Sequence, residues 1–212
     1  MIAEILILGI SYLLGSIPFG FLFSKLYHQN PLQVGWKKTS ASNVYKNVGK
    51  IPGILTGICD VLKGFLAPKL AQILNFSPQI QVLCAFLAVL GHNWSIFLKF
   101  AGGRGIGTLG GALLFFSPYE TLLAFVPTLF LALVFDSSLA TIFFLFYSIY
   151  LSSIFNTFET AGLFVALCLF PVFIKRLSPL KEIFSQKRLI LPRLLFDDNQ
   201  FHRLRIFKIL KK

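Results

Sequence analysis

The stretch FLKFAGGRGIGTLGG, from Phe97 to Gly111, sets six glycines around one arginine, between two apolar runs. Glycines at 102 and 103 are expected to take positive φ and turn backbone N–H groups toward a ligand. Arg104 adds a planar, fixed-charge fork suited to a phosphate. A helix starting near Ile106 would present its positive dipole end to the same place. Residues 102–105 therefore read as an anion-binding loop. Gly107 and Gly111 form a small-xxx-small pair that suits close helix packing instead. Gly105, Gly107 and Gly110 also satisfy GxGxxG, but no strand precedes them and no βαβ unit surrounds them, so a dinucleotide fold is excluded.

Upstream, LGHNWSIFLKF puts His92, Ser95 and Lys99 at i, i+3, i+7, which on a continuous helix is one face. A structural histidine and a ligand-facing one both fit that position. Asp60 and Lys63 lie one turn apart within an apolar stretch, where ionisable groups are costly and either pair with one another or line a site. The loop GWKKTSASNVYKNVGK brings hydroxyls, an amide and lysines to the same side of the chain as the glycine loop. Ordinary positive-inside bias accounts for Lys37 and Lys38.

These groups sit in a chain whose solvent is lipid. Hydrophobic residues make up 56% of the 212 and charged residues only 13%, and the charges cluster between apolar runs. The net charge of +12 points to anionic partners such as headgroups or phosphorylated small molecules. With so much lipid-facing sequence, nucleic acid is the least suited. Cys59, Cys84 and Cys168 are scattered in apolar stretches without CxxC spacing, which fits small core residues rather than a disulfide or zinc site. The first apolar run lacks a basic region before it and an A-x-A site after it, so it reads as a retained helix.

A hydrocarbon core of about 30 Å takes about 20 helical residues to cross. Runs at 2–24, 51–74, 79–98, 138–155 and 160–174 suit that length, and the stretch 106–135 is expected to break at Ser117-Pro118 into two shorter helices. Lysines between 25 and 50 place that loop in the cytoplasm, and Lys99 and Arg104 do the same for the glycine loop. Eleven Lys or Arg residues beyond Phe173 place the tail there too. An outside N-terminus and a cytoplasmic C-terminus require an odd number of crossings. The expectation is an all-α integral membrane protein with about seven transmembrane helices, a membrane domain over 1–176, and a basic amphipathic cytoplasmic tail over 177–212. Lys69 is the exception to the charge pattern.

The ordered set YLLGSIPFGFLFSKL, ASNVYKNVGKIPGILTGICDVLKG and LGHNWSIFLKFAGGRGIGT resembles the PlsY family of acyl-phosphate:glycerol-3-phosphate acyltransferases, over about residues 5–175. That resemblance implies a multi-pass enzyme of the bacterial inner membrane with a cytoplasmic active site. It implies transfer of a fatty acyl group from acyl phosphate to the 1-hydroxyl of glycerol 3-phosphate, giving lysophosphatidic acid for phospholipid biosynthesis. Coenzyme A, acyl carrier protein and metal play no part in the implied chemical step. Carried over, Arg104, His92 and Ser138 take the catalytic positions. Ser42, Asn43, Lys46, Lys50, Asp60, Lys63, Lys99, Gly102, Gly103, Gly105 and Thr108 take the substrate-binding ones.

The chain departs from the family pattern at its first motif, where WKKTSASN at 36–43 keeps only Ala41 and Asn43. It departs again at its third motif, where Arg176 and Pro179 occupy the positions of a histidine and an asparagine. Asn, His and Arg-Leu recur in NQFHRLR at 199–205, in another order and further downstream. A diverged member that is non-catalytic or serves another acceptor is the alternative. A small organic-anion transporter is the remaining one, although internal repeats of that class are not visible.

Overall fold

The structure, a computed structural model, describes residues 1–135, 137–177 and 190. Every regular element among them is helical. The anticipated tail over 177–212 and the NQFHRLR stretch lie outside the described residues, apart from Leu177 and Ile190.

Proline placement decides where the helices stop. The first apolar run is two helices, α1 (Ile2–Ser16) and α2 (Phe19–Leu26), rather than the continuous one expected over 2–24. Pro18 brings no N–H, and its ring pushes the preceding residue out of the helical region, leaving Ile17 at ψ 116°. The carbonyls of Ser16 and Ile17 thereby turn toward neighbouring elements. A short helix α3 (Ala41–Asn47) precedes the long α4 (Lys50–Ile73). The next helix, α5 (Pro78–Asn93), ends five residues before the expected 98. Trp94 leaves helical geometry, and a 3₁₀ turn, Ile96–Leu98, leads into Lys99 and Phe100, both left-handed with φ 52° and 64°. Two bonds across this turn, Ser95 N–H to the Ala101 carbonyl at 3.0 Å and Phe100 N–H to the Ser95 carbonyl at 2.8 Å, hold the chain folded back. His92, Ser95 and Lys99 therefore do not share a helix face. The expected break at Ser117-Pro118 is present, dividing α6 (Ile106–Phe116) from α7 (Pro118–Val134). Helix α8 (Ser137–Ile154), a π-helical turn (Phe158–Gly162) and α9 (Leu163–Leu177) complete the described chain.

Two compact units result, Met1–Phe116 and the described residues from Ser117 onward. In the first, α1 packs on α5, and α4 packs on both α5 and α6. Small residues allow these approaches, because apolar side chains gain little over lipid by meeting one another. A methyl group on Gly15 would strike the Ala88 backbone, one on Gly64 the Thr108 carbonyl, and one on Gly111 the Val61 carbonyl. Gly111 thus plays the packing part read from its small-xxx-small spacing. Cys84 is buried with Ile7 and Ala71 as a small core residue. In the second unit α7 packs on α8. Glu120 is buried there and receives the Thr157 hydroxyl, 2.9 Å from each carboxylate oxygen.

Among the described residues, five segments are long and apolar enough to cross a membrane: Ile2–Leu26, Lys50–Ile73, Pro78–Leu98, Ser137–Ile154 and Phe158–Leu177. The chain is a multi-pass membrane protein. The 11 residues of α6 and the 17 of α7 rise only about 16 and 26 Å.

Candidate functional site

The first unit collects most of the chemistry-bearing residues beneath the break at Pro18. On α4, Asp60 and Lys63 are 3% exposed each and form an ion pair, Nζ to Oδ1 at 3.0 Å. The same Oδ1 lies 3.3 Å from Nδ1 of His92 on α5. A carboxylate only accepts, so the contact favours the proton on Nδ1 and leaves Nε2 as the ring's other face. Lys63 also donates to the Ile17 carbonyl at 2.9 Å and lies over the Phe19 ring. Ser95 donates to the Ser16 carbonyl at 2.6 Å. Both acceptors are carbonyls at the C-terminal end of α1, where the break at Pro18 ends the helical ladder, and that of Ile17 also accepts the Phe19 N–H at 3.1 Å. A narrow polar pocket opens among Ser16, Thr39, Asp60, Lys63, His92 and Ser95.

The glycine loop folds directly over this cluster. Gly103 donates its N–H to the His92 carbonyl at 3.1 Å, so that donor is used within the protein. A side chain on Gly103 would fall on the Nε2 edge of the His92 ring, and one on Gly102 on the carbonyls of His92 and Asn93. These two glycines are required by close approach and not by the positive φ expected of them. The left-handed residue of the loop is Gly105, at φ 82°, immediately before α6. Arg104 carries the loop's charge and sits with Cζ 5.6 Å from the centre of the Trp36 indole.

The cytoplasm-side loop read from the sequence is built around Asn43. Its side-chain amide is fully buried and donates to the carbonyls of Pro31, Val34 and Lys38 at 3.0, 3.2 and 2.7 Å. Its Oδ1 accepts the N–H of Trp36 at 2.9 Å and Nδ2 of Asn47 at 2.9 Å. Asn43 thus shapes the loop, while Ser42, Lys46 and Lys50 stand exposed around it. Lys46 lies with Nζ 5.3 Å from the same Trp36 ring that Arg104 meets.

Of the residues singled out by sequence, Asp60, Lys63, His92 and the glycines at 102, 103 and 105 come together. Lys46 and Arg104 meet through one indole. Lys99 is exposed on the folded-back turn. Thr108 is buried where α6 crosses α4, its backbone against Gly64. Ser138 belongs to the second unit, where its carbonyl accepts Nη2 of the buried Arg176 at 3.2 Å. Sequence reading missed Trp36, Ser16 and the Ile17 carbonyl. The signals were a tryptophan in a glycine- and lysine-rich loop and a proline inside the first apolar run.

A family model described as glycerol-3-phosphate acyltransferase matches residues 5–186. The glycerol-3-phosphate acyltransferase 2 of Moorella thermoacetica is 42% identical over 123 residues, covering 58% of this chain and 63% of that protein. The glycerol-3-phosphate acyltransferase of Campylobacter concisus is 40% identical over 131 residues, covering 58% of this chain and 64% of that protein. The chain thus spans less than two thirds of the length of these relatives. Two crystal structures of PlsY (YgiH), an integral membrane glycerol 3-phosphate acyltransferase, share the fold. The glycerol 3-phosphate form matches with a TM-score of 0.78 at 23% identity, over 99% of this chain and 100% of that one. The lysophosphatidic acid form matches with a TM-score of 0.71 at 24% identity, with the same coverage.

Proposed function

The chain belongs to the glycerol-3-phosphate acyltransferase family, and from that premise we propose that it moves a fatty acyl group from acyl phosphate to the 1-hydroxyl of glycerol 3-phosphate. The hydroxyl oxygen forms the new ester bond to the acyl carbon, the bond from that carbon to the phosphate oxygen breaks, and the hydroxyl proton passes to the departing phosphate. Lysophosphatidic acid and inorganic phosphate result. Acyl phosphate is already an activated mixed anhydride, so positioning and charge stabilisation carry the step.

The observation that supports this reading is the stacking of the Arg104 loop on His92, with Asp60 behind the imidazole. In the proposal Arg104 stabilises the leaving phosphate as charge develops on it, and the positive end of α6 adds to the field. Lys46 and Lys50 hold glycerol 3-phosphate, in a loop whose shape Asn43 maintains. His92, held by Asp60, is the one protein group proposed to accept the hydroxyl proton if phosphate does not. Ser138 is proposed as a catalytic residue on the resemblance alone. Seven crossings, including α6 and α7, an external N-terminus and a cytoplasmic site in a bacterial inner membrane complete the proposal.

A second reading, an altered acceptor, is favoured by one observation. Arg176, at the position where the resemblance expects histidine, is buried against the Ser138 carbonyl. Product analysis separates the two. Purified protein fed palmitoyl phosphate and glycerol 3-phosphate should yield lysophosphatidic acid by mass spectrometry. Free palmitate alone would mean hydrolysis, and the acceptor assignment would fall.

A further inference from the structure

Trp36 sits at the tip of a loop whose backbone is held in an uncommon conformation. Gly35 before it and Lys37 after it both take left-handed φ, 54° and 55°. For Lys37 this geometry is strained, and it persists only where the surroundings over-determine it. Asn43 supplies that determination, gripping the Trp36 N–H and the carbonyls of Val34 and Lys38 on either side. A side chain on Gly35 would collide with Asn43 and Asn47, so the turn admits only glycine there.

The indole presented this way meets two cations from different elements. Lys46 comes from α3 and Arg104 from the loop before α6, with centroid distances of 5.3 and 5.6 Å. Each contact is within the range of a cation–π interaction. The negative π-cloud of one ring is thus shared by two positive charges. The chain therefore holds a pair of cations, one from α3 and one from the glycine loop, against a single rigid aromatic ring.

We propose that Trp36 is a positioning residue that aligns Lys46 and Arg104 for phosphate recognition, so that glycerol 3-phosphate and acyl phosphate are held in register. This rests on the reading of Lys46 and Arg104 as phosphate-binding groups. An anion drawn to the pair competes with the indole for both charges, so substrate binding changes the surroundings of the Trp36 ring. The sequence has two tryptophans, and Trp94→Phe leaves Trp36 as the only indole.

The test uses the Trp94→Phe protein in detergent, with Trp36→Phe, Trp36→Leu and Arg104→Gln variants. Trp36→Leu should raise the KM for both phosphates and lower kcat/KM about fivefold to tenfold, and Trp36→Phe should recover most of the loss, as expected for about 1 kcal/mol of cation–π energy. Trp36 emission should respond saturably to glycerol 3-phosphate, and the response should weaken in Arg104→Gln. An active parent whose Trp36→Leu variant keeps both KM values, with flat Trp36 emission, overturns the proposal and leaves the acyltransferase reading intact. An inactive, folded parent removes the acyltransferase reading instead. In that case, and if Trp36→Leu fails to fold, emission decides: a saturable response sustains the proposal and a flat one overturns it.

Discussion

Nδ1 of His92 lies 3.3 Å from Oδ1 of Asp60, across the contact between α4 and α5, with each side chain 5% exposed. Asp60 serves two partners with one oxygen, since Lys63 Nζ reaches the same atom at 3.0 Å. Removing one charge of a buried pair strands the other, at a cost of about 3–5 kcal/mol, whereas replacing both by apolar groups of similar size is often near neutral. Asp60→Asn should thus lower the thermal midpoint in detergent more than the double change Asp60→Leu/Lys63→Met. Neither should restore activity, because His92 has lost its anchor. A double variant with full turnover would make the cluster purely structural.

Gly103 and Gly110 are both glycines of the sequence motif, but only Gly103 lies against the histidine ring. An alanine methyl at 103 has no room beside His92, whereas at 110 it meets nothing within 4 Å. Gly103→Ala should reduce turnover at least about a hundredfold by displacing the loop, as misplacement of about 1 Å suffices to do. Gly110→Ala should keep full activity and stabilise α6 by about 0.5–1 kcal/mol. Equal effects of the two, read by steady-state turnover and thermal unfolding, would show that the loop's position against His92 is unimportant.

Asn43 donates to three loop carbonyls. Asn43→Asp keeps the shape of the side chain and replaces donors by a carboxylate facing those carbonyls, each unsatisfied group costing about 1–3 kcal/mol. The KM for glycerol 3-phosphate should rise by at least about tenfold, and limited proteolysis should cut between 30 and 40 more readily. An unchanged cleavage pattern would contradict the role given to this amide.

Much of the architecture was legible because lipid imposes it. The apolar runs, the break at Ser117-Pro118 and the packing of Gly111 on Val61 follow from length, proline chemistry and small-residue spacing. The break at Ile17-Pro18 was equally present in the sequence, but a long hydrophobic run hides a proline when only its length is weighed. Its consequence for Lys63 and Ser95, which bond the carbonyls at that break, depends on tertiary contacts that spacing does not carry. The alignment of His92, Ser95 and Lys99 failed because it assumed a helix that continues past Asn93. The glycine loop was recognised, but the reason for Gly102 and Gly103 lies in the histidine beneath them, 10 and 11 residues away in the chain. Trp36 escaped notice because its partners, Lys46 and Arg104, are brought to it only by folding.

Phosphate release from purified, detergent-solubilised protein given palmitoyl phosphate, with and without glycerol 3-phosphate, tests the central claim most directly. Release should require the acceptor, match lysophosphatidic acid one to one, and fall at least about a hundredfold in Arg104→Ala, as loss of a charge-stabilising group does. Release from folded protein that ignores both the acceptor and Arg104, or no release at all, would contradict it.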